Sequence, residues 1–186
     1  MRVTGGEFGG RRLASVPEDG EIRPTQDRVR EALFSILAPE MAGCDFLDLY
    51  AGCGSVGIEA VSRGARSATF VELSRRHVAA IGKNLEALGL ALPRAVVVAA
   101  DVERWVASYS GAGYGIVFAD PPYAMWREGG LSDFLESLAA HRVVAAGGLF
   151  VSETGPHVDP PQAQGWDLLR DRVYGITRIA IWRRTS

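Results

Sequence analysis

Residues 46–57 read FLDLYAGCGSVG, an apolar run of strand length that breaks into glycines at 52, 54 and 57 just ahead of a helix-like stretch. Glycines in this GxGxxG spacing let the backbone pass close to a ligand and let a helix start hard against the preceding strand. They equally suit a plain tight turn, so the spacing alone leaves a structural and a ligand-binding role open. Around it, DFLDLY, SATFVEL, AVVVAA and GIVFAD are strand-length apolar runs, while SVGIEAVSRG, SRRHVAAIGKNLEALG and DVERWVASY between them are helix-like. Such alternation predicts a parallel sheet covered by helices on both faces, and AVVVAA lacks the polar alternation of a strand with a solvent face. The core is therefore α/β. Ser74 is placed to cap the helix after the second strand and Gly89 to end it. Near the C-terminus, WDLLRDRVYGITRIAIWRR reads as two β-rich runs broken around Gly175, an antiparallel hairpin at the sheet's end.

In the other direction, RPTQDRVREALFSIL sets Val29, Leu33, Phe34 and Leu37 on one helical face, with Thr25 as a cap. Residues 1–22 are punctuated by glycine and read as an N-terminal extension, a small β-hairpin or a floppy arm, ahead of a single domain over 23–186. A chain of 186 residues, 47% of them hydrophobic, is long enough for one packed core and short for two. The net charge of -2 excludes the basic excess of a general nucleic-acid binder, so any such contact must be local. Cys44 and Cys53 have neither a CxxC spacing nor a histidine cluster, which argues against a disulfide scaffold and a zinc site. No apolar stretch approaches the roughly 20 residues of a membrane span, and MRVTGGEFGG lacks the apolar core of a signal peptide. A soluble, cytoplasmic monomer is expected.

Four acids, Asp48, Glu72, Asp101 and Asp120, stand at or near the carboxyl ends of predicted strands, which in an open parallel sheet converge on one crevice. Each alone reads as a helix cap or a solvated loop acid; four in register favour a site. Glu72 lies about 20 residues after Gly52, where a carboxylate accepts ribose hydroxyls. Accumulated carboxylates repel a pyrophosphate but suit a sulfonium that carries an ammonium group, which favours S-adenosylmethionine over a dinucleotide.

The last of these acids opens a second motif. Residues 116–123, IVFADPPY, end a buried strand on a carboxylate and stiffen the exit with two prolines. The Asp120 carboxylate and the Pro121 carbonyl are both acceptors, the Pro121 and Pro122 rings fix the backbone, and Tyr123 offers a stacking face. That set matches an exocyclic amino group with two N–H donors, without itself distinguishing adenine, guanine or a glutamine amide.

Taken together, LDLYAGCGSVGIEA, FVEL, AADV and ADPPY resemble the class I S-adenosylmethionine-dependent methyltransferases that modify exocyclic amines. RPTQDRVREALFSIL, with GGEFGGRRL ahead of it, narrows the resemblance to the RsmD family, which methylates a guanine N2 in 16S ribosomal RNA. It covers almost the whole chain, although HVDPPQAQGWDLL carries none of the motifs. The resemblance implies a Rossmann-like, mostly parallel seven-stranded sheet with helices on both faces and a C-terminal antiparallel hairpin. It implies S-adenosylmethionine held by Gly52, Gly54, Glu72 and Asp101, with Asp48, Leu73, Val102 and Thr25 alongside, and an amine held by Asp120, Pro121, Pro122 and Tyr123. It further implies 16S ribosomal RNA, within small-subunit particles, as partner, and no metal. Arg2, Arg11, Arg12, Arg23 and Arg28 are the candidate RNA contacts. The neighbouring acids Glu7, Glu18, Asp19, Glu21, Asp27 and Glu31 make a solvated mixed-charge surface an equal reading, for Arg30 as well. Three rival functions stay open: an amine methyltransferase acting on DNA adenine, another nucleic acid or a protein, a catalytically idle RNA-binding subunit of the same fold, and a nicotinamide-dependent reductase.

Overall fold

A computed structural model describes residues 1–16, 24–122, 125–126 and 129–185, without the side chains of 24–26. Two units divide it, Met1–Asp101 and Val102–Ser186. The first contains α1 (Pro24–Met41), β1 (Asp45–Leu49), α2 (Ser55–Ser62), β2 (Ser67–Glu72), α3 (Arg75–Leu88) and β3 (Ala95–Ala99). Its strands run parallel in the order β3-β2-β1, with Asp45 opposite Ser67 and Glu72 opposite Ala99. The second contains α4 (Val102–Ser108), β4 (Tyr114–Ala119), α5 (Gly130–Ala140), β5 (Val144–Thr154), β6 (Trp166–Tyr174) and β7 (Thr177–Arg184). Here β4 and β5 are parallel, whereas β5–β7 and β7–β6 are antiparallel, in the order β4-β5-β7-β6. The expected seven-stranded, mostly parallel sheet with a C-terminal antiparallel hairpin is thus present.

Local signals explain most of the elements. Ser74 accepts the His77 N–H at the start of α3, and Gly89 ends that helix at φ +67°, the left-handed conformation that costs glycine nothing. Val29, Leu33, Phe34 and Leu37 are all buried on α1. That helix begins at Pro24, which suits the first helical position because its missing N–H would be unbonded there anyway. Thr25 therefore lies inside the first turn and is not the cap. AVVVAA also departs from expectation: as β3 it is an edge strand, buried only at Ala95, so its unbroken apolar run marks half-covered packing and not a central strand. Helix α5 buries Leu131, Phe134, Leu135 and Leu138, the spacing of one helical face.

The described part of the N-terminal extension, residues 1–16, closes on itself through Val3 N–H to Arg11 O, Gly10 N–H to Val3 O and Leu13 N–H to Met1 O. It is held down rather than free. Val3, Phe8 and Leu13 are buried, and the Thr4 N–H and hydroxyl donate to Glu59 on α2 at 2.8 and 2.7 Å. Glu59 is fully buried, and it also pairs with Arg63 at 2.8 Å and Arg30 at 3.5 Å. Arg30 donates further to Asp27 and to the Arg2 carbonyl. Buried at 6% exposure, it belongs to this ion-pair network, neither to a solvated surface nor to an RNA-facing one.

Candidate active site

The chain leaves β1 through Tyr50, a non-glycine residue held at φ +58°, a strained conformation of the kind found where surrounding structure fixes a functional loop. The three glycines that follow have different physical reasons. At Gly57 a Cβ would sit 2.4 Å from the Phe70 ring, so glycine is what lets α2 pack on β2. Gly54, at φ +82°, begins α2 and would press a Cβ against Ile81 and Phe70. Gly52, at φ +55°, has open space around its Cβ position, which leaves its backbone accessible to a ligand.

Two carboxylates brace this loop. Glu72, at the end of β2, accepts the Gly52 N–H at 2.9 Å with one oxygen and the Ser74 N–H at 2.7 Å with the other. A carboxylate has about four acceptor sites, so two remain for ribose hydroxyls. Leu73 beside it is 65% exposed, an apolar side chain left uncovered next to the loop. If Glu72 holds a ribose, Glu72→Ala weakens cofactor binding by about 1–3 kcal/mol, because hydroxyls and the Gly52 N–H all lose their acceptor. Unchanged calorimetric affinity would remove Glu72 from the site.

Asp48 behaves differently. Only 1% exposed, it accepts the Gly57 N–H at 2.8 Å. Burial, and next the negative charge of Glu72, push its pKa up to about 8 against the favourable Gly57 bond, so at neutral pH it is mostly protonated. It therefore adds little negative charge to the loop. Because the folded pKa exceeds the unfolded value, Asp48 favours the native state fully below pH about 4, and that contribution is lost as pH rises to about 8. Asp48→Asn keeps an acceptor for Gly57 and cannot ionise. Its melting temperature is expected to fall less than that of the parent between pH 5 and 8; parallel curves would show that Asp48 does not titrate in this range.

Asp101 is half-buried after β3, and Val102 is buried at the start of α4. In the second unit, β4 is buried along its last four residues and stops at Ala119, so Asp120 emerges exposed, Pro121 is buried and Pro122 is exposed. The carboxylate that ends a buried strand is thus not itself buried. The Met125 N–H donates to the Pro122 carbonyl at 2.9 Å, turning the chain immediately after the motif. Tyr123, Arg23 and the Thr25 side chain lie outside the described residues.

Among the candidate RNA contacts, Arg2, Arg12 and Arg28 are exposed and, with Asp27 and Glu31, line two adjoining open cavities of about 490 and 510 Å³ beside the N-terminal arm. Arg11 is also exposed, and it donates to the Ala87 carbonyl at 2.7 Å. No group of three or more metal-ligating side chains occurs among the described residues, and no helix there is long and apolar enough to cross a membrane.

The sheet, the glycine loop after β1 and the acid ending β2 define a class I methyltransferase fold. The chain belongs to the RsmD family, described as conserved hypothetical protein 95, whose match spans residues 1–183. It is 35% identical to ribosomal RNA small subunit methyltransferase D of Escherichia coli over all of this chain and 91% of that one. The solved structure of the Escherichia coli protein yhhF superposes with a TM-score of 0.86 at 33% identity, covering 100% of this chain and 98% of that one. SMU.776, solved in complex with SAH, shares the fold at 18% identity, with a TM-score of 0.69 over 87% of this chain and 50% of that one.

Proposed function

We propose that this protein transfers a methyl group from S-adenosylmethionine to the exocyclic N2 amine of a guanine in 16S ribosomal RNA. The observation that carries the reading is the braced glycine loop, open at Gly52 and backed by Glu72, in a chain whose family relative is a small-subunit ribosomal RNA methyltransferase. The residues present fit the cofactor: Gly52 and Gly54 let it approach the backbone and Glu72 takes its ribose, while Leu73 and Val102 are further candidate contacts. Asp101 and Thr25 are also assigned to the cofactor, and Asp48 acts from beneath the loop through the Gly57 N–H.

The cofactor supplies an activated methyl on sulfur, so the protein's task is to position the nucleophile and stabilise charge. Asp120 and the Pro121 carbonyl accept the two N–H bonds of the guanine amine, Pro122 holds the turn, and Tyr123 stacks on the ring. The amine lone pair is delocalised into the base. Acceptors placed at its N–H bonds favour pyramidalisation and stabilise the positive charge that develops on nitrogen. The proton then passes to Asp120 or to water. No metal is required. Arg2, Arg11, Arg12, Arg23 and Arg28 grip phosphates of RNA within a small-subunit particle, the protein acts as a cytoplasmic monomer, and residues 1–22 serve as its substrate-engaging extension.

Tritium transfer from labelled cofactor, run in parallel on naked 16S RNA, assembled small subunits and DNA, tests this reading. Label is expected in RNA, recovered as N2-methylguanine after nuclease digestion. Label in DNA adenine, or in no nucleic acid, would overturn it.

A further inference from the structure

Asn84, on α3, is 3% exposed and makes three hydrogen bonds that join two distant parts of the first unit. Its Oδ1 accepts the Ala14 N–H at 2.7 Å, while its Nδ2 donates to the Ala14 carbonyl at 3.0 Å and to the Cys53 carbonyl at 2.9 Å. The orientation of the amide is fixed by its partners, since a flipped group would set NH₂ against N–H and oxygen against two carbonyls. Ala14 belongs to the N-terminal arm. Cys53 is the residue between Gly52 and Gly54, in the loop assigned to the cofactor.

That position matters because glycines on either side leave the loop free to adopt many backbone conformations. Gly52 and Gly54 both sit at positive φ, and the peptide units around them are held by Glu72 on the Gly52 N–H, the Ala51 carbonyl on the Gly54 N–H, the Ile58 N–H on the Gly54 carbonyl and Asn84 on the Cys53 carbonyl. Of these anchors, Asn84 is the one that also holds the arm. A second contact runs the same way, with the Cys53 thiol 3.9 Å from the Met1 sulfur.

We propose that Asn84 is a positioning residue through which docking of the N-terminal arm and binding at the glycine loop are coupled, so that a seated arm pre-orders the loop and a filled loop holds the arm in place. The coupling rests on the assignment of S-adenosylmethionine to this loop. By linkage, the factor by which the docked arm tightens ligand binding equals the factor by which ligand tightens arm docking. An arm held by ligand in turn presents Arg2 and Arg12 in a fixed place, so cofactor and RNA would each tighten the binding of the other.

The test uses the full chain and S-adenosylhomocysteine as probe. In the parent protein, saturating probe is expected to slow hydrogen exchange at the Ala14 amide, the proton bonded to Asn84. Asn84→Leu, which keeps the volume and removes all three bonds, is expected to weaken probe affinity roughly 5- to 30-fold, to raise KM for the cofactor, to leave kcat at saturation unchanged, and to abolish the probe's effect at Ala14. A merely structural asparagine would lower the melting temperature without this split in KM and kcat. Probe that binds the parent while exchange at Ala14 is unaltered overturns the coupling alone, and that measurement stands even if the leucine variant fails to fold. Failure of the parent to bind the probe overturns the cofactor assignment itself, and the coupling with it.

Discussion

Asp120→Ala is expected to lower methyl transfer by a factor on the order of 10²–10³ while leaving S-adenosylhomocysteine affinity nearly unchanged. The split follows from where the residue stands. Asp120 is exposed at the end of β4, in the motif assigned to the amine, whereas the loop assigned to the cofactor is braced by Glu72 and Asn84. Removing one acceptor leaves an N–H of the bound amine unmatched and takes away the charge that opposes the cation developing on nitrogen. Asp120→Asn keeps an acceptor oxygen and loses the charge, so it should retain part of the activity. Melting curves of both variants that match the parent's would confirm that the loss is one of function. Wild-type turnover in the alanine variant would end the assignment of Asp120 to the reacting amine. Equal loss in the asparagine and alanine variants would instead put the weight on charge, as expected of a proton acceptor.

The candidate site was legible where its logic is local. The glycine spacing after β1, the acid about 20 residues on and the proline-stiffened end of β4 are short-range patterns whose geometry the chain carries with it. The reason for each glycine was not legible, since Gly57 is required by the Phe70 ring of another strand and Gly52 is not. Nor was the state of Asp48, because a carboxylate's pKa depends on how deeply the fold buries it. The edge position of β3 is likewise a property of strand order, which an apolar run cannot reveal. Least visible were Glu59, Arg30 and Asn84. Their partners in the N-terminal arm lie far away along the chain, 55 residues for Thr4 to Glu59, 28 for Arg2 to Arg30 and 70 for Ala14 to Asn84, and no periodicity marks those contacts.

Those long-range contacts change what removal of the N-terminal arm should do. From the sequence, deleting residues 1–20 is expected to cost RNA binding and spare the cofactor site. With the arm seated as it is, the deletion exposes the apolar surface that covered Val3, Phe8 and Leu13 and strips Glu59 of both Thr4 donors. It also leaves Asn84 without Ala14. Two hydrogen bonds to a charged group are worth about 1.5–3 kcal/mol each, a large share of the roughly 5–15 kcal/mol that holds a domain folded. The truncated protein is therefore expected to melt far below the parent and to bind S-adenosylhomocysteine poorly, whatever the arm does for RNA. An unchanged melting temperature and unchanged affinity would show that the arm contributes nothing to the fold. A role in RNA binding has to be sought by charge instead. Arg2 and Arg12 are exposed, and neither belongs to the Glu59 network through its side chain. Changing both to glutamate should preserve the fold and the cofactor affinity, weaken RNA binding, and flatten its dependence on salt, since fewer counterions are released per complex. RNA affinity and salt slope equal to those of the parent would assign the arm to structure alone.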